Sequence, residues 1–194
     1  MKFKLFKFGS ISSTNDLAIH LIKNKNKKRG CVIAELQTKG KGTYGKKWIS
    51  KKGNLFGSFF FPLKRNYPPF NEFSVINPVL ISDVIKNFCK KNNVSLKFPN
   101  DIFLNGKKVC GILQELVTIN KKNFLIIGIG LNIISSPKIN NKYKTTNIFK
   151  ETKNKPRISI VIKKLILSYE KFFRNLNSYS YITFKIKVNL LTLN

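Results

Sequence analysis

Hydrophobic and polar positions along this chain change period several times, and each change predicts an element. In "KFKLFKF" (2–8) lysine alternates with phenylalanine or leucine. Alternation marks a half-buried strand. It also denies the start the continuous apolar stretch of a secretory signal. From 12 to 28 the spacing widens, with Leu17, Ile19, Leu21 and Ile22 behind Ser13 or Thr14 as helix cap. "GCVIAELQT" (30–38) and "NLFGSFFFPL" (54–63) are apolar runs that predict buried strands, with a loop of glycine and lysine between them. Residues 72–91 predict a helix in which Pro78 marks a kink or a later start. "VSLKF" (94–98) is a short strand before Pro99. "KKVCGILQELV" (107–117) and "KNFLIIGIGLNI" (122–133) are two strands joined by a turn around Thr118 to Lys122. Residues 140–146 read as a loop and 157–176 as a helix with Pro156 near its first turn, while the last 18 residues are ambiguous. This order is not the steady βαβ alternation of a doubly wound fold. It predicts an α+β fold, a mixed sheet with helices against one face. The whole chain, 1–194, reads as one domain without repeat or internal linker.

Composition changes this picture in one respect. Lys and Arg number 37 against 8 Asp and Glu, a formal charge of +29. Such a charge attracts polyanions at low salt. Arginine occurs only at Arg29, Arg65, Arg157 and Arg174, and Lys, Asn, Ile and Phe, all abundant here, are favoured by A/T-rich codons. Codon drift is therefore one sufficient source for much of the charge, without selection for any partner. The lysines are also scattered, whereas a nucleic-acid surface concentrates them on one face. No apolar run is long enough to span a bilayer, so no membrane partner is expected and the cytoplasm is the expected compartment. Cys31, Cys89 and Cys110 lie far apart in apolar runs without a CxxC, and read as reduced core residues. His20 falls in a predicted helix with no ligand pattern around it, which disfavours mechanisms needing a histidine base.

Three stretches carry candidate chemistry. "KGKGTYGKKW" (39–48) lies between two strands and lacks the Gly-Lys-Ser/Thr ending of a Walker A loop. Its glycines can turn backbone N–H groups toward one concavity, Lys41, Lys46 and Lys47 add charge, and Trp48 offers a flat face for a base. A solvated hairpin loop is the plain alternative. In "KFPNDIFLNGKKVCGILQE" (97–115), "NGK" predicts a tight hairpin turn. If the strand opened by Lys108 folds back beside "VSLKF", Lys108 approaches Asn100 and Asp101. In "IIGIGLN" (126–132), Gly128 and Gly130 permit close approach by a backbone or a ligand, and Asn132 ends the strand on a polar group.

Taken in this order, with "SSTND" (12–16) ahead of them, these stretches resemble the biotin–protein ligases, over about residues 5–135; the C-terminal helical part, about 156–194, is matched only diffusely. The resemblance implies a mixed sheet backed by helices and an ATP-dependent ligase that makes biotinyl-5′-adenylate. It then transfers biotin to a lysine of the biotin carboxyl carrier protein of acetyl-CoA carboxylase. It implies ATP and Mg²⁺, with no metal held by protein ligands alone. It implies biotin contacts from Ser13, Thr14, Asn15, Gln37, Lys41, Gly42, Thr43, Lys108 and Gly111. ATP or adenylate contacts fall to Lys41, Lys46, Trp48, Asn100 and Asn132, and catalysis to Lys108, Lys41 and Asp101. Departures are Phe98 for the usual tryptophan, Thr43 for a frequent arginine, and lysine for arginine at 41 and 46, which loses the bidentate fork. No DNA-binding segment is expected before the matching region, and too few residues follow 176 for the small β-barrel many bacterial members carry. A lipoate-attaching relative, a decayed ligase and a basic nucleic-acid-binding protein are the alternatives.

Overall fold

The computed structural model describes residues 1–137 and 143–192. The strands are β1 (Leu5–Ile11), β2 (Gly30–Gln37), β3 (Leu55–Pro62), β4 (Val94–Lys97), β5 (Asp101–Leu104), β6 (Lys107–Ile119) and β7 (Lys122–Leu131). The helices are α1 (Thr14–Lys25), α2 (Phe73–Lys86), α3 (Ile148–Thr152), α4 (Ile158–Arg174) and α5 (Tyr181–Leu191). One seven-stranded sheet runs in the order β1-β2-β3-β7-β6-β5-β4. Only β1 and β2 pair in parallel, joined through α1; the other neighbours are antiparallel. The mixed sheet backed by helices is the predicted one.

Register explains where the helices go. Cys31 lies opposite Phe59, and Phe59 opposite Ile127. These side chains enter the main core with Ile76 and Ile85 of α2, Leu165 and Tyr169 of α4, and Val188 of α5. The next residues along, Val32, Phe60 and Ile126, face the other way and pack under Ala18, Leu21 and Ile22 of α1. The expectation of helices against one face therefore holds for α2, α4 and α5, but α1 covers the opposite face. The reason is that β2, β3 and β7 are apolar at successive positions, as in "FFF" at 59–61, so both faces need cover.

Local signals set the boundaries. Ser13 caps α1, its Oγ accepting from Asp16 N at 3.4 Å, and Asn26 ends it in the left-handed region at φ 48°. The helix α2 begins at Phe73, runs through Pro78 and stops at Lys86. Strand β1 starts and ends three residues later than the alternation suggested. Neither β5, four residues between a proline and a turn, nor α3, five residues long, was expected. Both are too short to show a period. The ambiguous C-terminal stretch forms α5. Of the loop expected at 140–146, residues 140–142 lie outside the described residues. Among the described residues, no helix is long and apolar enough to cross a membrane.

A buried polar chain ties the helical layer to the sheet. Tyr169 Oη donates to Asn77 Oδ1 at 2.9 Å, Asn77 Nδ2 to Gln114 Oε1 at 2.9 Å, and Gln114 Nε2 to the Phe70 carbonyl at 2.8 Å. Tyr169 and Asn77 are fully buried. Replacing Asn77 by leucine orphans a buried phenol and a carboxamide oxygen, so Asn77→Leu should lower the unfolding free energy in urea by roughly 1–3 kcal/mol. A loss under about 0.5 kcal/mol would mean that Tyr169 has another partner.

Candidate functional site

The face that α1 leaves open is the floor of a cavity of about 660 Å³. Its centre is glycine. Gly111 of β6 pairs with Gly130 of β7, and Trp48 lies across both. A Cβ on Gly130 would stand 2.3 Å from Trp48 Cε2, and one on Gly111 2.6 Å from Trp48 Cζ3. At Gly128 a Cβ would stand 2.5 Å from Asn15 Oδ1. These are close approaches that other residues forbid.

The glycine and lysine stretch arches over this floor as a small hairpin. Gly42 N donates to Lys46 O at 2.7 Å and Trp48 N to Gly40 O at 2.9 Å. The turn needs two residues with positive φ, Tyr44 at 54° and Gly45 at 71°. At its root, Gln37 Oε1 accepts from Thr14 N at 2.8 Å and Thr14 Oγ1 at 3.0 Å. Lys41 ion-pairs with Asp16 in the first turn of α1. The hydrogen bond to Asp16, with its charge, holds the ammonium above the usual lysine range. The loop is thus both the hairpin of the plain reading and a wall of the cavity.

Opposite the hairpin stand Asp101 and Lys108. Lys108 comes alongside Asp101 through the β5–β6 pair; β5 stands between β6 and β4, so the expected pairing beside "VSLKF" is not the one formed. A bulge decides where Lys108 points. Asp101 pairs with Gly111 and Ile102 with Cys110, but Phe103 pairs with Lys108, leaving Val109 extra. In an unbulged strand Lys108, two residues before Cys110, would share its core-facing side. The bulge turns it onto the side of Gly111 and the cavity. There Lys108 Nζ lies 2.6 Å from Asp101 Oδ1 and 5.7 Å from the centroid of the Trp48 ring. Asn100 Nδ2 reaches Thr43 Oγ1 at 3.3 Å, linking this wall to the hairpin.

The inner end is polar and wired. Ser58 Oγ lies 2.7 Å from Thr14 Oγ1 and donates toward Asn15 Oδ1 at 2.5 Å, while Asn15 Nδ2 donates to Glu115 Oε2 at 2.5 Å. Among the described residues, three buried polar atoms in this lining have no hydrogen-bond partner: Trp48 Nε1, Asn132 Oδ1 and, its ion-pair contact aside, Asp101 Oδ1. Buried polar atoms are rarely left so, and a cavity lined by them suits a polar ligand.

The residues that the resemblance assigned to the site all line this cavity: Ser13, Thr14, Asn15, Gln37, Lys41, Gly42, Thr43, Lys46, Trp48, Asn100, Asp101, Lys108, Gly111 and Asn132. The three cysteines are buried and unpaired. Burial pushes the Cys89 thiol up to about 11 and those of Cys31 and Cys110 higher still, so none is a ready nucleophile. His20 is exposed and contacts Asn24 at 2.8 Å. Sequence reasoning missed Asp16, Ser58, Glu115, Tyr143 and Thr145. Ser58 had a signal, a lone polar residue beside "FFF". Tyr143 and Thr145 line the cavity from a segment far downstream and had none. Among the described residues, no three His, Cys, Asp or Glu gather to hold a metal, and both acids nearest the cavity lysines are engaged with them.

Trp48 is the chain's one tryptophan. Gly130→Ala should lift its indole from the floor and shift its emission to the red, while far-UV circular dichroism stays unchanged. An unaltered emission spectrum would mean that the indole does not rest on Gly130.

Comparison with known proteins adds to this geometry. A model of the biotin/lipoate A/B protein ligase family matches residues 8–132. The chain is 32% identical over 129 residues to biotin–protein ligase 2 of Arabidopsis thaliana, covering 63% of this chain and 38% of that protein. It is 28% identical over 182 residues to the bifunctional ligase/repressor BirA of Bacillus subtilis, covering 91% of this chain and 55% of that one. The chain thus spans about half or less of the length of these curated relatives. The solved biotin protein ligase from Aquifex aeolicus in complex with biotin and ATP superposes with a TM-score of 0.82 at 26% identity, over 98% of this chain and 78% of that one. The Leishmania major biotin protein ligase in complex with biotinyl-5-AMP gives 0.83 at 23% identity over 98% and 81%, a likeness of fold.

Proposed function

We infer the reaction from one premise: the chain belongs to the biotin/lipoate A/B protein ligase family. We propose that it activates biotin with ATP as biotinyl-5′-adenylate and passes the biotinyl group to a lysine of a biotin carboxyl carrier protein. The observation that carries this is the convergence of Lys41, Lys46, Lys108 and Trp48 on one cavity whose inner end is the Thr14, Asn15, Gln37 and Ser58 network. In the first step the carboxylate of biotin attacks the α-phosphorus and pyrophosphate leaves. Negative charge builds on the phosphate oxygens, where Lys108 and Lys41 stabilise it inside a partly dry site. Lys46 stands on the phosphate side, Trp48 gives adenine a face, and Asn100 and Asn132 offer it polar groups. In the second step the carrier's amine attacks the mixed anhydride and AMP leaves, with Asp101 proposed to take up the proton. Mg²⁺ belongs to the nucleotide substrate in this scheme. All 194 residues are proposed to act as one catalytic domain, in the cytoplasm, where ATP is at hand.

Lipoate is the second reading, since the family includes its ligases. The polar inner end favours biotin. A ureido ring can engage those hydroxyls and carboxamides, whereas a dithiolane ring would leave them unmatched. Incubating the pure protein with ATP, Mg²⁺ and either acid, and measuring acyl-adenylate and pyrophosphate, tests both. No adenylate with either acid would sink the ligase readings.

Lys108→Ala should reduce adenylate formation by at least ~10²-fold, the scale of losing one transition-state donor. The substitution also strips Asp101, whose side chain is only 15% exposed, of its cation. Some stability is lost with it, so the assay should be run on protein that a thermal melt shows to be folded. Retained adenylation would move the catalytic role elsewhere.

The charge of +29 should act on the second step. With an acidic carrier domain, transfer should slow roughly tenfold or more as salt rises past the point where the Debye length falls to about 8 Å. A rate indifferent to salt would leave codon drift as the whole account of the charge. Saturable binding to duplex DNA at physiological salt would instead favour the nucleic-acid reading.

A further inference from the structure

We propose that Glu151, which lines no part of the cavity, is a positioning residue: it anchors the strap 144–146 that holds Lys108 and Asn132 in place. The inference rests on the ligase reading for its kinetic arm and on geometry alone for its structural arm.

The strap runs beside the start of β6 and bonds to it on both sides of one residue. Lys108 N donates to Lys144 O at 2.9 Å, and Thr146 N donates to Lys108 O at 2.9 Å. Asn132 Nδ2 donates to Thr146 O at 3.0 Å, which fixes the amide and leaves Asn132 Oδ1 unpaired in the lining. Thr146 therefore joins a residue of β6 to the residue that follows β7. It is fully buried, yet the strap belongs to no helix and only bridges the sheet. Something must hold it.

Glu151 does so, with three hydrogen bonds from two places. Thr146 Oγ1 donates at 2.6 Å from the strap, and Asn105 Nδ2 and Lys107 Nζ donate at 2.9 Å each from the β5–β6 turn. Burial pushes its carboxyl up, but these bonds and the Lys107 charge outweigh it and bring the value down to about 2. The carboxylate is thus charged throughout the neutral range.

Its grip on Lys107 has a second consequence. Residues 107 and 108 are both lysine, and a one-residue slip would exchange which of them faces the cavity. The Val109 bulge turns Lys108 inward, and Glu151 holds Lys107 outward. The carboxylate so selects which of two identical side chains serves the site.

Glu151→Gln keeps the shape but presents one acceptor oxygen and an amide that repels Lys107. Backbone hydrogen exchange at Lys108 and Thr146 in the ligand-free protein should speed up at least ~tenfold, with other β6 amides unchanged. In the ligase assay kcat for adenylate formation should fall on the order of ten- to a hundredfold, and KM should rise for ATP and for biotin, since Lys108 is assigned to biotin and Asn132 to the nucleotide. A merely structural role would instead lower the active fraction and leave both KM values alone; that result overturns the proposal, as does wild-type exchange at the two amides. Thr146→Val, which removes only the hydroxyl bond to Glu151, should show the same pattern at smaller size. Wild-type behaviour there overturns the proposal even if Glu151→Gln fails to fold. A wild-type protein that makes no adenylate would defeat the ligase reading, while the exchange experiment still decides the strap.

Discussion

Trp48 lies against β6 and β7 because Gly111 and Gly130 carry no Cβ, and that close approach organises everything around it. The two glycines are direct neighbours across the ladder, so together they make one flat strip of bare backbone. Glycine weakens a strand. Here the loss is offset by length, since the β6–β7 ladder runs without a break from Cys110 opposite Leu131 to Ile119 opposite Lys122. Gly128 makes the next clearing on β7, and Asn15 fills it from the start of α1. Trp48 of the hairpin and the start of α1 thus come closest to the sheet where glycine lets them, and the cavity is what remains between them.

The acids tell a second part of the story. There are eight in a chain with 37 basic residues. Six of them hold a defined partner: Asp16 with Lys41, Asp101 with Lys108, Glu115 with Asn15, Glu151 with Lys107, Glu170 with Lys2 and the Phe3 N–H, and Glu72 with the Tyr179 hydroxyl. Glu35 and Asp83 are exposed. Asp101 lines the cavity, Asp16 and Glu115 hold residues that line it, and a fourth holds the strap behind it. Lysine is spread everywhere on this molecule, but negative charge is concentrated where a particular cation or amide must be held. The position of an acid is therefore more informative here than the position of a base.

This explains what could be read in the sequence. The strands β2, β3, β6 and β7 were legible because each is long and apolar, and the site stretches were legible because glycine, asparagine and lysine interrupt those runs at fixed places. The side taken by α1 was not legible, since "FFF" at 59–61 signals burial on both faces without saying which element covers which. The Val109 bulge depends on pairing with β5, a four-residue strand that shows no period of its own. The strap and Glu151 lie some forty residues from Lys107, and only the folded chain brings them together. Local chemistry was readable; the contacts that aim it were long-range.

Lys41 rests on Asp16 and Lys108 on Asp101. Two cations and two carboxylates leave the two reactive corners close to neutral, although the molecule carries +29. A surplus of distant lysines raises the potential outside but is screened within a Debye length. The Lys108–Asp101 pair is screened less, because its side chains are only 26% and 15% exposed, whereas Lys41 and Asp16 stand more open to solvent. On the proposed reaction, a triphosphate or an adenylate entering this cavity would compete with Asp16 and Asp101 for the same ammonium groups. Lysine suits that exchange. It is a point charge on a flexible stem, free to swing from a carboxylate to a phosphate oxygen, whereas the planar fork of arginine would bind either partner in a more fixed geometry. On the proposed ligase reading, the acids hold these cations in place and the charge of the nucleotide would draw them off.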